Sequence, residues 1–188
     1  MIIDTHKLLG SLFYQATSKE QLITIVEALV ESKVLSEGCL LTLRSEQEEA
    51  LSAEFSRLFE GVGDMPAPPW GSVYLDKDRV VFGASTVEYR QFLEFNQIEL
   101  DTGLREPEDQ FGLMLFAHAY LLGNNNIDSA HELLERHLLP WSSAYLDKLN
   151  TASDLSFYKK LSIDVINWLD QLTSEYNLNV ATKKLYID

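Results

Sequence analysis

The chain has 188 residues, of which 46% are hydrophobic and 23% are charged, a balance typical of one soluble globular domain. Its 29 acidic residues against 15 basic ones give a formal net charge of -14. This charge disfavours nucleic-acid binding, which depends on Lys and Arg contacts to phosphate, and favours cationic partners. Cys39 is the only cysteine, which excludes an internal disulfide and a thiolate metal cluster.

The N-terminal residues lack the basic start, apolar run and small-residue cleavage site of a secretory signal peptide. The most apolar run, residues 111–122, is shorter than the roughly 20 residues that a membrane-spanning helix needs. A single cysteine also suits a reducing compartment. These features predict a cytoplasmic protein that is not an integral membrane protein.

Helix patterns recur along the chain. A serine followed three residues later by Gln or Glu forms a capping box, in which both side chains satisfy free backbone groups at a helix start. The pairs are Ser18 with Gln21, Ser45 with Glu48, and Ser85 with Glu88. Each pair precedes an apolar stripe at helical spacing, so the sequence predicts three helices that start at these serines.

The second half of the chain begins with Glu106-Pro107-Glu108-Asp109. Proline is tolerated in a first helical turn and carboxylates favour the positive end of the helix dipole, so this run predicts a helix start. Residues 111–122 are apolar nearly all round, which places this helix in the centre of the fold. The run 123–126 should end it, and the last helix should start near Ser153 or Asp154.

A long irregular connection is predicted at about residues 60–84. Connections of this length inside a compact domain are uncommon unless they are functional or disordered, and the aromatic and β-branched content here argues against disorder. Residues 73–75 and 80–82 have strand-like character, and residues 76–78 could turn a short hairpin between them. An ordered, apolar loop fixed by prolines indicates a binding surface.

These patterns together predict an all-α fold. We expect a single helical domain over residues 1–188, with helical halves at about 1–96 and 106–188 that are joined by a short hinge. The sequence shows no internal repeats and no low-complexity tracts.

Sites for established chemistries are not evident. Gly61-Val62-Gly63 lacks the third glycine and the lysine of a phosphate-binding loop. No two histidines have the i, i+4 spacing of a helical metal site, so no metal is expected. His118 should be a hydrogen-bonded core residue, whereas His131 and His137 should lie on a solvated helix. No catalytic residue is therefore assigned.

Two alternatives stay open at this point. Glu106, Glu108 and Asp109 could form an acid–base pair of a hydrolase, which predicts turnover with a pH-dependent rate. The chain could instead be an oligomeric scaffold without a peptide ligand.

Four runs of the sequence, taken together, resemble one protein family. They are Pro68-Pro69-Trp70-Gly71-Ser72-Val73-Tyr74-Leu75-Asp76, Phe82-Gly83, Glu106-Pro107-Glu108-Asp109 and His137-Leu138-Leu139-Pro140-Trp141. The family is TorD/DmsD, the cytoplasmic chaperones of molybdenum-containing respiratory reductases. The first run looks most like the branch that serves dimethyl sulfoxide reductase. Gln110 departs from the His that this branch often has after the Asp, which puts a proton-switch role there in doubt.

The resemblance implies a proofreading chaperone and not an enzyme. Such a protein binds the twin-arginine leader of a reductase precursor and delays its export until the molybdopterin cofactor is inserted. Dimethyl sulfoxide reductase is the expected client, with another reductase such as trimethylamine N-oxide reductase as the alternative. The twin-arginine translocase is a further partner suggested by the family. No resident cofactor is expected, although some members bind guanine nucleotides weakly.

The leader offers two guanidinium groups followed by an apolar segment. Carboxylates bind Arg in bidentate geometry, and aromatic side chains can line a groove for the apolar part. The predicted leader-binding residues are Tyr14, Leu58, Phe59, Trp70, Gly83, Glu106, Glu108, Asp109 and Gln110.

Overall fold

The computed structural model describes residues 2–100, 103 and 106–187. Its helices are α1 (Ile2–Tyr14), α2 (Lys19–Glu31), α3 (Glu37–Ser45), α4 (Glu48–Phe59), α5 (Gly71–Leu75), α6 (Ala84–Phe95), α7 (Phe111–Gly123), α8 (Ile127–Glu132), α9 (Leu139–Ala152) and α10 (Ser156–Glu175). A π-helical turn, Leu133–Leu138, joins α8 to α9. The described residues contain no β-strand, which confirms the predicted all-α single domain. None of their helices is long and apolar enough to cross a membrane.

The centre of the fold is the packing of α1 against α7. Their backbones approach closely where Gly10 faces Gly112. A Cβ atom on Gly10 would lie 2.9 Å from the carbonyl oxygen of Gly112, and a Cβ on Gly112 would lie 2.6 Å from the carbonyl oxygen of Gly10. Only two glycines allow this approach. The helix α7 is therefore buried on nearly all sides, as its sequence predicted.

Aromatic side chains fill the core beside this crossing. Phe13 and Phe111 meet with ring centroids 4.8 Å apart, and Phe111 meets Tyr145 at 5.2 Å. Tyr74 of α5 stacks on Trp141 of α9 at 5.5 Å. Such rings bury large apolar areas, and these contacts attach the short helix α5 to the central helices.

One of the three predicted capping boxes is confirmed. The Ser18 side chain accepts a hydrogen bond from the backbone N–H of Gln21, and the Gln21 side chain accepts one from the backbone of Ser18. The prediction at Ser45 is wrong, because Ser45 is the last residue of α3 and its hydroxyl donates to the carbonyl of Thr42.

The prediction at Ser85 is also wrong. The residue before α6 is Gly83, and Ser85 lies inside the first turn. The carboxylate of Asp76 accepts hydrogen bonds from the backbone N–H of Ser85 and, at 2.7 Å, from its hydroxyl. A side chain from the preceding loop therefore satisfies the free donor that a local box would have used.

The helix start predicted at residues 106–109 is a further correction. The helix α7 begins at Phe111, and the Gln110 side chain accepts from the backbone N–H of Leu113 as its N-cap. Residues 109–111 instead form backbone hydrogen bonds with the loop before α5. This tertiary pairing outweighs the local signal. The last helix starts at Ser156, two residues beyond the predicted region.

The long loop is present near residues 60–84, but the predicted hairpin is wrong. Residues 71–75 form the helix α5, and residues 80–82 form no strand. Arg79 and Phe82 adopt the left-handed region, with φ of 50° and 63°. A bulky residue such as Phe rarely adopts that conformation.

The predicted placement of His137 is wrong, because its side chain is buried and contacts the rings of Tyr89 and Phe92. His118 is a core residue as predicted. Neither of its ring nitrogens, however, has a hydrogen-bond partner among the described residues, and its ring lies 4.2 Å from that of His6. The predicted hinge includes residues 101, 102, 104 and 105, which lie outside the described residues.

Candidate functional site

The candidate site forms where the loop before α5 meets the segment before α7. The N–H of Gly71 donates to the carbonyl of Asp109 at 3.0 Å, and the N–H of Phe111 donates to the carbonyl of Pro69 at 2.8 Å. These bonds flank an antiparallel bridge between Trp70 and Gln110. The aromatic and the acidic parts of the predicted site are therefore adjacent in the fold.

Asp109 is the most buried of the predicted acidic residues, with 3% of its surface exposed. One carboxylate oxygen, Oδ2, accepts from the backbone N–H of Ser72 at 2.7 Å and from the hydroxyl of Thr86 at 3.2 Å. Burial raises the pKa of this carboxyl, although the hydrogen bonds from Ser72 and Thr86 oppose the shift. The acid holds α5 and α6 together.

The second carboxylate oxygen of Asp109, Oδ1, is buried and has no hydrogen-bond partner among the described residues. The same holds for the indole N–H of Trp70 and for the hydroxyls of Tyr74 and Tyr89. Most buried polar atoms in proteins are paired, so a group of unpaired ones calls for an explanation. Here they combine an acceptor with several potential donors beside one loop, as a site that binds a polar ligand would.

Glu108 is bound by Arg90 of α6 in a bidentate ion pair, with N–O distances of 2.9 and 2.8 Å. Burial disfavours the charged form of Glu108, but the hydrogen bonds and charge of Arg90 outweigh it, and the pKa of Glu108 lies below its usual value. Glu106 accepts a hydrogen bond from the Tyr14 hydroxyl at the end of α1. Each of the three acids therefore has a different protein partner.

Gln110 is buried and connects two helices. Its Oε1 caps α7, and its Nε2 donates to the carbonyl of Phe13 at 2.8 Å. This amide uses both an acceptor and a donor in the fold, so in this structure it has a structural role.

Gly83 lies directly against Asp76. A Cβ atom at Gly83 would be 2.0 Å from the Asp76 Oδ2, the oxygen that holds the start of α6. Gly83 is therefore needed for the loop to close, and its link to the site is through Asp76 and Ser85.

Exposed apolar residues lie on both sides of Gly83 in the chain. Val80 and Phe82 are 52% and 45% exposed, and Val81 and Val87 are exposed beside them. Four apolar side chains that face solvent within eight residues of the chain, one of them next to Thr86, offer a surface on which an apolar peptide segment can pack. We call residues 80–82 and Val87 the apolar patch.

The structure brings Trp70, Asp109 and Gln110 together and places Glu106 with Tyr14. It does not bring Leu58 and Phe59 to this surface. Leu58 is fully buried, and Phe59 packs in the core against Phe13 and Tyr158.

Other residues of the site escaped sequence reasoning. They are Ser72, Asp76, Thr86, Arg90 and Lys183. Their hydrogen-bond partners lie between nine and 95 residues away along the chain, and no local pattern signals such a pairing.

The described residues contain no group of three or more His, Cys, Asp or Glu that could hold a metal ion. The single cysteine, Cys39, is buried, and burial raises the pKa of its thiol to about 12, which keeps it protonated.

Comparisons with known proteins agree with one another. The family model described as nitrate reductase delta subunit matches residues 15–152. The Tat proofreading chaperone DmsD of Salmonella paratyphi A is 34% identical over 191 positions, which cover 97% of this chain and 94% of the relative. The chaperone protein YcdY of Escherichia coli is 28% identical and covers 83% of this chain and 85% of its own.

A similar fold occurs in a crystal structure from Archaeoglobus fulgidus, described as a redox enzyme maturation protein. The TM-score is 0.60 at 18% identity, and the match covers 92% of this chain and 93% of the other.

Proposed function

The chain belongs to the TorD/DmsD family, and we infer from this that it is a chaperone that binds the twin-arginine leader of a redox-enzyme precursor. The client would be a molybdenum-containing reductase in the cytoplasm. Binding would delay export until the molybdopterin cofactor is in place. The full-length similarity to proteins named Tat proofreading chaperones supports this function.

The unpaired oxygen of Asp109 is the observation that carries the proposal. Asp109 already uses Oδ2 to hold α5 and α6, and its buried Oδ1 has no partner among the described residues, so we assign Oδ1 to a guanidinium group of the leader. A buried carboxylate without a second partner gains more from an Arg than an exposed one does, because water does not compete. The apolar segment that follows the arginines in the leader would then contact aromatic and apolar side chains.

Trp70 and the apolar patch would receive the apolar part of the leader. Trp70 is half-buried, and it lies one residue from the backbone bond to Asp109. An aromatic anchor beside a cation site matches the order of groups in a twin-arginine leader.

We propose dimethyl sulfoxide reductase as the client, because the relatives at 34% identity are named DmsD. We also propose a role without catalysis. Glu108 is engaged with Arg90, and relatives across the family are named chaperones. Weak guanine-nucleotide binding and contact with the translocase stay predictions.

Calorimetry on the purified chain tests the function. The ligands are synthetic leaders of dimethyl sulfoxide reductase and trimethylamine N-oxide reductase precursors, each with the arginine pair and with a lysine pair. We expect saturable binding of the first arginine leader and weaker binding of its lysine form, since Lys lacks the planar fork of Arg. Absence of saturable binding by every leader would reject the function.

A further inference from the structure

Residues 178–187 follow the turn after α10 as a segment without helix or strand that returns to the candidate site. The N–H of Ala181 donates to the carbonyl of Glu135 at 2.9 Å. Farther along, the N–H of Tyr186 donates to the carbonyl of Tyr74 at 2.8 Å. Tyr74 belongs to α5, directly after the Trp70 loop. The end of this segment is therefore bonded to the element that Asp109 holds in place.

The segment brings a cation to the site. The Lys183 ammonium donates to the carboxylate of Glu88 on α6, at 3.2 and 3.4 Å. Lys183 also lines a small cavity together with Gly71, Asp109 and Trp141. Lys183 therefore places a positive charge of the chain itself at a cavity that Asp109 also lines. Asp109 is the residue proposed to bind the leader's arginine.

The order of side chains in the segment is that of a leader. Lys183 and Lys184 are consecutive cations, and Leu185, Tyr186 and Ile187 follow as an apolar run. A twin-arginine leader likewise has two cations and then an apolar segment. Lysine presents a compact ammonium and cannot form the bidentate pair of a guanidinium, so the segment is a weaker version of the same ligand.

We propose that residues 183–187 are an internal pseudo-leader, which occupies part of the leader-binding surface and is displaced when a leader binds. The inference rests on the proposed function and identifies the surface of α5, α6 and Asp109 as the place where the leader lies. The displaced contacts are the Tyr186–Tyr74 backbone hydrogen bond and the weak ion pair of Lys183 with Glu88. Lys183 and Glu88 are 24% and 42% exposed, and such a pair changes an equilibrium by no more than about fivefold.

The test uses the full chain and three proteins: the parent, Lys183→Glu and Lys159→Glu. Lys183→Glu replaces attraction to Glu88 by repulsion. Lys159→Glu makes the same charge change on α10, where Lys159 is exposed. An arginine leader is titrated into each protein by calorimetry. Hydrogen exchange of the Ala181 and Tyr186 amides is followed in the parent with and without saturating leader.

We expect Lys183→Glu to bind the leader about fivefold more tightly than the parent, and Lys159→Glu to match the parent. Saturating leader should speed exchange of the Tyr186 amide, because its acceptor Tyr74 is lost, whereas the Ala181 amide lies outside residues 183–187 and serves as the internal reference. Equal affinity for all three proteins, or a Tyr186 amide that exchanges no faster with leader bound, would overturn the pseudo-leader while leaving the chaperone function intact. Absence of binding by all three would overturn both.

Discussion

The carboxylate of Asp109 accepts a 2.7 Å hydrogen bond from the backbone N–H of Ser72, so an acid just before α7 fixes a short helix 37 residues earlier in the chain. This relationship gives Asp109 two roles, because one oxygen supports the fold and the other is unpaired. The two roles can be separated experimentally.

We predict that Asp109→Asn weakens binding of an arginine leader by about tenfold or more, since hydrogen bonds to charged groups contribute roughly 1.5–3 kcal/mol. The amide oxygen of Asn can still accept from Ser72. Burial raises the pKa of Asp109, so its charge costs free energy in the folded state and removing it should leave the unfolding temperature equal or higher. Calorimetry and thermal unfolding measure the two effects. A variant that unfolds early and binds normally would contradict both expectations.

Trp70→Ala should weaken leader binding while the protein stays folded. Trp70 is half-buried on the loop, whereas Trp141 is fully buried and stacks on Tyr74. The matched control is Trp141→Ala, which should lower the free energy of unfolding by about 3–5 kcal/mol because it leaves a core cavity. Urea unfolding and leader titration of both variants check this contrast. Normal leader affinity in Trp70→Ala would assign Trp70 to packing alone.

Gly83→Ala should destabilise the protein by about 1–2 kcal/mol, the usual effect of losing a helix cap. The added methyl group would displace the Asp76 carboxylate from the start of α6. Gly123→Ala is the control, because a Cβ there meets no atom within 4 Å and Ala favours the helix. Thermal unfolding should separate the two variants, with Gly123→Ala equal to or above the parent. Equal losses in both would show that Asp76 moves at little cost.

Stability should fall as the pH drops from about 6.5 to about 4. Burial lowers the pKa of His6 and of His137 to about 4, while an unfolded histidine keeps a pKa near 6.5. Between these values the unfolded chain binds more protons, so acid favours unfolding. Each histidine can contribute up to about 3 kcal/mol, at 1.36 kcal/mol per pKa unit.

Urea unfolding at about pH 7 and about pH 5 measures this loss. His137 packs against the rings of Tyr89 and Phe92, so His137→Phe keeps an aromatic side chain there and removes one titrating group. We expect a smaller loss of stability on acidification in this variant than in the parent. An identical loss would mean that His137 is not a source of the acid sensitivity.

Local signals predicted the fold, and tertiary contacts decided the details of the site. Ser18 and Gln21 cap their helix as predicted, because both partners lie within one turn. At Ser85 the partner is Asp76, which lies nine residues earlier, outside the helix that Ser85 belongs to. The helix α7 begins at Phe111 and not at residues 106–109 for the same reason, because residues 109–111 form backbone hydrogen bonds with residues 69–71.

The same distinction applies to the candidate site. The sequence indicated Trp70, Asp109 and Gln110, and the structure places them side by side. The sequence could not indicate that Leu58 and Phe59 pack in the core, because an apolar stripe does not show whether other helices or a peptide ligand cover it. Lys183 and Glu88 are 95 positions apart in the chain, so no local sequence pattern predicts their contact.

The crossing of α1 and α7 has a consequence for how the chain reaches its fold. Gly10 and Gly112 meet across about a hundred residues, and Gln110 closes the same long loop through Phe13. Contacts of high sequence separation slow folding, because the entropy of closing the loop is lost before the contacts form. The helix α7, against which α1 packs most extensively, is therefore synthesised only after more than half of the chain, and until then α1 can pack only against earlier elements such as α2 and Phe59 of α4.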